Sequence, residues 1–501
     1  MKKTVSLILL LSMLLTAFSA CSNGDNTDND TQAATTAPPT VETADPTKDE
    51  YGRDIVESSI PEGTDFEDTE LTLLLRDMHG TLDFTYEFIA EEENADLIND
   101  NVYLRNRETE ESIGVKLNFQ ATSEGEFQSL LKRSISANDG AYDMAAFYSY
   151  FGVSWALEGY YYNLLDLEYL DFDKPWWNSD FANELTLNDQ LYFAVGDMAL
   201  STIDRVYALF FNKVLAAEYF PETNLYDVVN EGKWTADMFT SLIKDTYQDL
   251  NGNSDADEDD FYGWIAPAAS IPIDGIQVGF DIPVTETGSD GIPQYVYGGE
   301  RSATGYSKLY EMFTNNKDIY PGKYDMDSIN LAINKFVNGT SVFLIDLFCT
   351  TTQLRDMEDD YGVLPLFKLD ENQKEYCTTS DDVSSFVAVV SSSQNPEASA
   401  AAMEKMSEIS YKYVTPAYFE VALKTKYARG DEDSAMYDLI IEGRKYNFGF
   451  VMSSSCGNIT HHWRSLLDTR KDTFVSTIEK QAKSVNKQFE KLLEKFDKLA
   501  E

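Results

Sequence analysis

Basic residues, histidine and cysteine are all scarce in this 501-residue chain, and each scarcity excludes a class of function. Lysine and arginine number 39 against 86 aspartates and glutamates, a formal net charge of −47. A nucleic acid or an anionic lipid surface would repel such a chain. The only histidines are His79, His461 and His462. With no HExxH, GxSxG or CxxC spacing, neither a zinc protease nor a serine hydrolase is signalled. Paired carboxylates could serve a glycosidase, but among 86 acidic residues some pairing arises by chance. Apart from Cys21 the cysteines are Cys349, Cys377 and Cys456, so at most one disulfide can form and the fold cannot depend on a cystine framework. The long apolar run, "VSLILLLSMLLTAF", is too short and too near the N-terminus to favour a permanent membrane helix.

That run is flanked by Lys2 and Lys3 and by small residues leading to Cys21, which together describe an export signal over residues 1–20. The stretch "FSAC" resembles a bacterial lipobox, in which the cysteine receives lipid after cleavage, with Phe18 in place of the usual aliphatic residue. The alternative is an ordinary signal peptide cut near Ala20. Without Lys2 and Lys3 the exported chain carries 37 − 86 = −49. Residues 21–65 are expected to form a disordered tether, because 22–47 hold no basic residue, no aromatic and a single valine. A tether behind a lipidated Cys21 suits a protein held at the outer face of a membrane.

The remainder is rich enough to fold, with 43% apolar and 13% aromatic residues, and too long for one core, so two domains or lobes are expected. "LTLLLRDM" reads as a buried strand opening into a loop. A helix over 96–113, the alternating "VKLNFQ", and a helix, turn and strand in "EFQSLLKRSISANDGAYDMAAF" follow. This β-α-β-α-β order predicts α/β lobes with largely parallel sheets. Strand signals recur at "LYFAVGDM", "VYALFFN", "SVFLID" and "SFVAVVSS". Within 465–501, free of glycine and proline, Ile478, Ala482, Val485, Phe489, Leu492, Phe496 and Leu499 form one apolar stripe. A surface helix packed on its own lobe is expected there, with a short coiled coil as the alternative.

Carboxylates crowd into "DLNGNSDADEDD", 249–260. Against an EF-hand loop, Asp249, Asn251, Asn253, Asp255, Asp257 and Asp260 occupy positions 1, 3, 5, 7, 9 and 12, an alternation that can wrap one hard cation. Ser254 replaces the glycine of position 6, and Asp260 the long bidentate glutamate. The loop connects a helix to the strand beginning at "FYGW", which favours a structural calcium clip over a sensor. A plainly solvated acidic loop is the alternative.

Several segments in order resemble the large bacterial extracellular solute-binding proteins that serve ABC importers, especially the sugar-binding branch. They are "LTLLLRDM" with "ESIGVKLNFQ", "SISANDGAYDMAAF", "RVYALFFNKVLAAEYF", "EGKWTADMF", "INKFVNGTSVFLID", "DYGVLPLFKLDENQKEY" and "VSSFVAVVSSSQNPEASAAAMEKMS". The resemblance implies a two-lobed α/β fold of the periplasmic-binding-protein type II kind, with hinge strands and an interlobe cleft. Lobe 1 would hold 66–203 and 389–430, and lobe 2 would hold 204–388 and 431–501. Sugar rings stack on aromatic faces while hydroxyls seek charged and amide partners. Arg76, Asp77 and His79 after the first strand, and Tyr148 and Tyr150 in "FYSYFGVSW", are therefore candidate ligand contacts. The resemblance adds Arg205 at the first crossing and Trp264, Phe348 and Trp463 facing the cleft, although core packing is the competing reading for each aromatic. It implies a monomeric, non-enzymatic, lipid-anchored receptor passing an oligosaccharide to ABC permease subunits. The alternatives are a surface sensory module of the same fold and, third, a glycoside hydrolase.

Overall fold

The computed structural model describes residues 46–355, 357–427 and 430–499. The expected leader, Cys21 and the tether as far as residue 45 lie outside the described residues. Nine strands build two sheets: β1 (Thr69–Arg76), β2 (Val115–Thr122), β3 (Met144–Tyr148), β4 (Tyr207–Asn212), β5 (Tyr262–Ala266), β6 (Ile319–Pro321), β7 (Ser341–Leu347), β8 (Tyr361–Leu364) and β9 (Ser385–Val389). The first sheet runs β9-β3-β1-β2 and the second β6-β5-β7-β4-β8. β1 is parallel to both its neighbours and β9 runs antiparallel to β3. In the second sheet β5 is parallel to β6 and β7, while β4 is antiparallel to β7 and β8. This is the two-lobed α/β architecture expected, but the second sheet is mixed rather than largely parallel, because β4 runs against both its neighbours.

Most strands read as continuous apolar runs and are buried along their length, whereas the edge strand β2 alternates buried and exposed positions. In β1, Leu71, Leu73, Leu74 and Leu75 are all buried. The following helix, Leu97–Ile113, starts where the Asp96 carboxylate accepts from the Ile98 and Asn99 amides. It stops at Gly114, whose φ of 63° suits glycine and where any Cβ would collide with the Asp65 side chain. That stop turns the chain directly into β2.

Three segments lie side by side between the lobes. The Asp381 amide donates to the Arg205 carbonyl (3.0 Å), the Tyr207 amide to Thr379 (3.2 Å), and the Lys445 amide to Thr378 (2.8 Å). β9 belongs wholly to the first sheet, since Ser385–Val389 pair with Tyr148–Met144, so the second crossing ends before residue 385 and not at the expected 389. The expected tether does not extend to residue 65. From residue 48 the chain is docked on lobe 1, with a Lys48–Asp54 bridge, the Arg53 guanidinium 4.4 Å from the Tyr411 ring centroid, and Val56, Ile60 and Phe66 packed on the lobe core. These residues can bury surface as 22–47 cannot.

The C-terminal helix, Phe474–Leu499, buries the expected stripe, but against both lobes rather than one. Phe474 packs on Tyr297 and Tyr306 of lobe 2, whereas Phe496 meets Tyr192 and Asp497 accepts from the Asn188 amide (2.7 Å) of lobe 1. Cys349, Cys377 and Cys456 are free thiols. Among the described residues no helix is long and apolar enough to cross a membrane.

Candidate functional site

At the hinge, charge is buried and paired. Arg205 grips Asp381 through two bonds, Nε to Oδ1 at 2.8 Å and Nη2 to Oδ2 at 2.5 Å, and Asp381 also accepts from the Val383 amide. Arg76 ends β1 fully buried, its guanidinium 3.5 Å from the Phe84 ring centroid, and donates to the Val383 carbonyl. Burial brings its pKa down to about 10, against the pull of Glu87 and Glu124. Tyr86 donates to Asp204, whose carboxyl burial pushes up to about 7. Arg205 is thus a hinge strut, and Arg76 is buried behind the hinge, its Nη2 held by the Val383 carbonyl while Nε and Nη1 have no hydrogen-bond partner among the described residues.

Beside this hinge, a chamber of about 330 Å³ opens between the lobes. Lobe 1 contributes Ser149, Tyr150, Asp180, Glu184 and Phe386. Lobe 2 contributes Asp274, Val278 and residues 281–283, and the crossing segments supply Thr379, Asp381, Asp382, Lys445 and Tyr446. Tyr150 reaches across the gap. Its ring stacks on His461 with centroids 5.5 Å apart and planes 13° from parallel, and its hydroxyl donates to Asn458 at 2.8 Å. Its amide donates to the Asp382 carbonyl (3.3 Å), as does the Ser149 hydroxyl (2.6 Å). From helix His462–Asp468, Arg464 binds both oxygens of Asp274, approaches Asp382 Oδ2 at 3.4 Å, and donates to the Tyr324 hydroxyl at 3.4 Å. Burial and the nearby Arg464 pull the His461 pKa to about 3, so its ring is a neutral stacking surface.

Tyr148 extends the aromatic edge on lobe 1, meeting His79 and Phe151 at 5.1 Å each and Tyr150 at 5.9 Å. The His79 ring shares a 2.7 Å hydrogen bond with Glu124. Asp77 accepts from the Met78 amide and begins the short hairpin 78–83. Phe151 and Tyr324, 49% and 52% exposed, present apolar faces from the two lobes. Of the expected contacts, Asp77, His79, Tyr148 and Tyr150 therefore lie along one edge of lobe 1.

Trp264, Phe348 and Trp463 are core residues and do not line the cleft, contrary to the resemblance. Trp264 sits in β5, buried on both faces, edge-on to Phe239 and Phe313. Phe348 packs against Tyr437 and Phe419, and Trp463 against Phe280, Tyr306 and Phe474. Trp463 and Arg464 are successive on one helix, so when the indole turns inward the guanidinium points elsewhere. Sequence reading chose the tryptophan of "HHWRS", whereas the arginine beside it holds the chamber carboxylates Asp274 and Asp382. Asp274, Asp382 and Asn458 carried no comparable signal.

In the acidic loop, backbone turns consume much of the oxygen. Asp249 accepts from the Gly252 and Ser254 amides, and Asp260 accepts from Leu250, Asp257 and the Tyr247 hydroxyl. The Asn251 and Asn253 amide nitrogens donate to Asp257, and Asp255 is exposed. Ser254 has φ 68°, the left-handed turn that glycine makes at position 6 of a calcium loop. Lys335 donates to the Asp260 carbonyl at 2.5 Å, a resident cation beneath the cluster.

No protein-family model and no curated protein sequence matches the chain. Solved structures do match its fold. A cyclo/maltodextrin-binding protein complexed with maltotetraose aligns with TM-score 0.55 at 11% identity, covering 85% of this chain and 97% of that one. The maltose-binding periplasmic protein of Listeria monocytogenes in complex with maltose gives 0.54 at 14% identity, covering 85% and 97%. A binding protein associated with an ABC transporter of B. animalis subsp. lactis, in complex with beta-1,6-galactobiose, gives 0.53 at 13% identity, covering 84% and 98%. The chain has the two-lobed fold of sugar-type solute-binding proteins.

Proposed function

We propose that the protein is an extracytoplasmic receptor that captures an oligosaccharide between its lobes and delivers it to an ABC importer, anchored to the membrane through lipid on Cys21. The observation that carries this reading is the interlobe chamber, where Tyr150 and His461 bring aromatic surface from opposite lobes beside Asp382 and Arg464. Rings and hydroxyls of a sugar match such a mixture, and a solute contacting both lobes favours the closed state through its differential affinity. The sugar complexes of fold relatives support the solute class. The leader and "FSAC" support the anchor.

A thermal-shift screen of the purified chain against glycans, peptides and metabolites tests the receptor reading, because a ligand that binds only the native state raises the melting temperature. An oligosaccharide hit is expected; a hit confined to peptides would overturn the solute class. Cys21→Ser tests the anchor separately, and a variant that stays in the membrane fraction contradicts it. The acidic loop is proposed as a structural calcium clip, supported by its EF-hand spacing and the Ser254 turn. A cation would have to displace the two asparagine amides from Asp257.

A further inference from the structure

We infer that the interlobe chamber selects a solute bearing a primary ammonium group, and so, within the oligosaccharide reading on which this rests, an amino sugar. The chamber's carboxylates arrive from separate segments that folding brings together, and the cations on or behind its wall each have a carboxylate partner. Arg205 is bound to Asp381, Arg464 to Asp274, and Lys445 pairs with Glu375 at 3.0 Å. Asp382 is more loosely held: its Oδ2 pairs with Arg464 at 3.4 Å, a guanidinium that Asp274 already holds more closely, and among the described residues no side chain donates to its Oδ1. The Asp382 side chain is 22% exposed, and it lines the chamber.

Across the chamber Glu184 accepts only a long bond from the Phe448 amide (3.4 Å), and Asp180 accepts from the Tyr446 amide (2.8 Å). Burial raises the pKa of both Glu184 and Asp382; the Phe448 amide opposes this at the first while Asp180 adds to it, and Arg464 opposes it at the second while Asp381 adds to it. Each is a negative charge short of compensation, which an ammonium would relieve with charge-assisted hydrogen bonds. A uronate or phosphorylated sugar would bring a further negative charge to a wall where Asp180, Glu184, Asp274, Asp281, Asp381 and Asp382 stand against Lys445. A neutral sugar would satisfy hydrogen bonds and leave the charge unpaired. Phe386 and Val278 supply apolar lining for the ring beside the amine.

Calorimetric titration of the full chain tests this, run where amines are protonated, with a glucosamine tetramer, its fully N-acetylated twin, maltotetraose, tetragalacturonate and spermidine. The glucosamine tetramer is expected to bind at least about tenfold tighter than its acetylated twin, and tetragalacturonate not at all. Asp382→Asn, and independently Glu184→Gln, should erase that preference. Either removes one acid of 86 in the chain, so attraction by overall charge would survive it. A preference that survives either variant overturns the inference. Equal or tighter binding of the acetylated or neutral tetramer also overturns it, and leaves the sugar-receptor reading standing. Asp382-dependent binding of spermidine with no sugar bound supports the ammonium site and removes the oligosaccharide reading. Binding of none of the probes overturns both.

Discussion

In the loop 249–260 the carboxylates are neighbours in sequence, and they hold the loop's own backbone, with Lys335 beneath them. In the interlobe chamber they come from positions as far apart as Asp180 and Asp382, and arginines grip two of them closely while Asp382 has only a longer, 3.4 Å pairing with Arg464. Local density of charge therefore says little about where charge is available to a ligand. A contiguous acidic run can turn on its own amides, whereas side chains gathered by tertiary folding have only the partners the fold brings.

The largest expected effect comes from breaking a chamber pair. Asp381→Ala leaves the Arg205 guanidinium buried without its partner, and should cost about 3–5 kcal/mol in urea unfolding. Exposed Asp255→Ala in the loop should stay within about 0.5 kcal/mol. A similar cost at both sites would erase the distinction between the two regions.

Next in size is the response to pH at the hinge. The Asp204 carboxyl ionises in the unfolded chain near its ordinary value of 3.8 but near 7 when folded. The folded state thus holds the extra proton between those values. The associated stability is fully present below the unfolded pKa and is lost as pH rises through about 7, at most about 4 kcal/mol. Asp204→Asn should flatten that fall between pH 4 and 7. An unchanged slope would mean that Asp204 does not titrate as its burial implies.

The smallest effect is that of calcium on the loop. A weak extracellular-type site near saturation adds only about 1 kcal/mol, so chelation should lower the melting temperature by about a degree or two and make the loop easier to cleave. No change in either would leave Lys335 as the cluster's counter-charge and make the run a solvated connector.

The lobes were legible because their strands are apolar on both faces: "LTLLL" and "VYALFF" can only be covered strands, and both sit centrally or one place in from an edge. The hinge position of Arg205 was legible too, but its partner Asp381 lies 176 residues further on, and no local pattern links them. Tyr150, which lines the chamber, was singled out by residue type, as was Tyr148, which lies next to it outside that lining. Trp264 and Trp463 were chosen by the same criterion and lie in cores, because an indole satisfies a cleft and a core equally well on paper and only the packing of the whole lobe decides. The C-terminal stripe announced a packed helix, but whether its far end would meet Tyr192 of the other lobe depended on how the lobes meet.

The central claim is that solute binds between the lobes and not at the aromatic cores or the acidic loop. The most direct measurement is a calorimetric titration of the best glycan from the screen against the native chain, Tyr150→Ala and Trp264→Phe. Tyr150→Ala should weaken binding by about 2 kcal/mol, roughly thirtyfold, and Trp264→Phe should leave it unchanged. Equal affinity for all three proteins, or a loss confined to Trp264→Phe, would contradict the account.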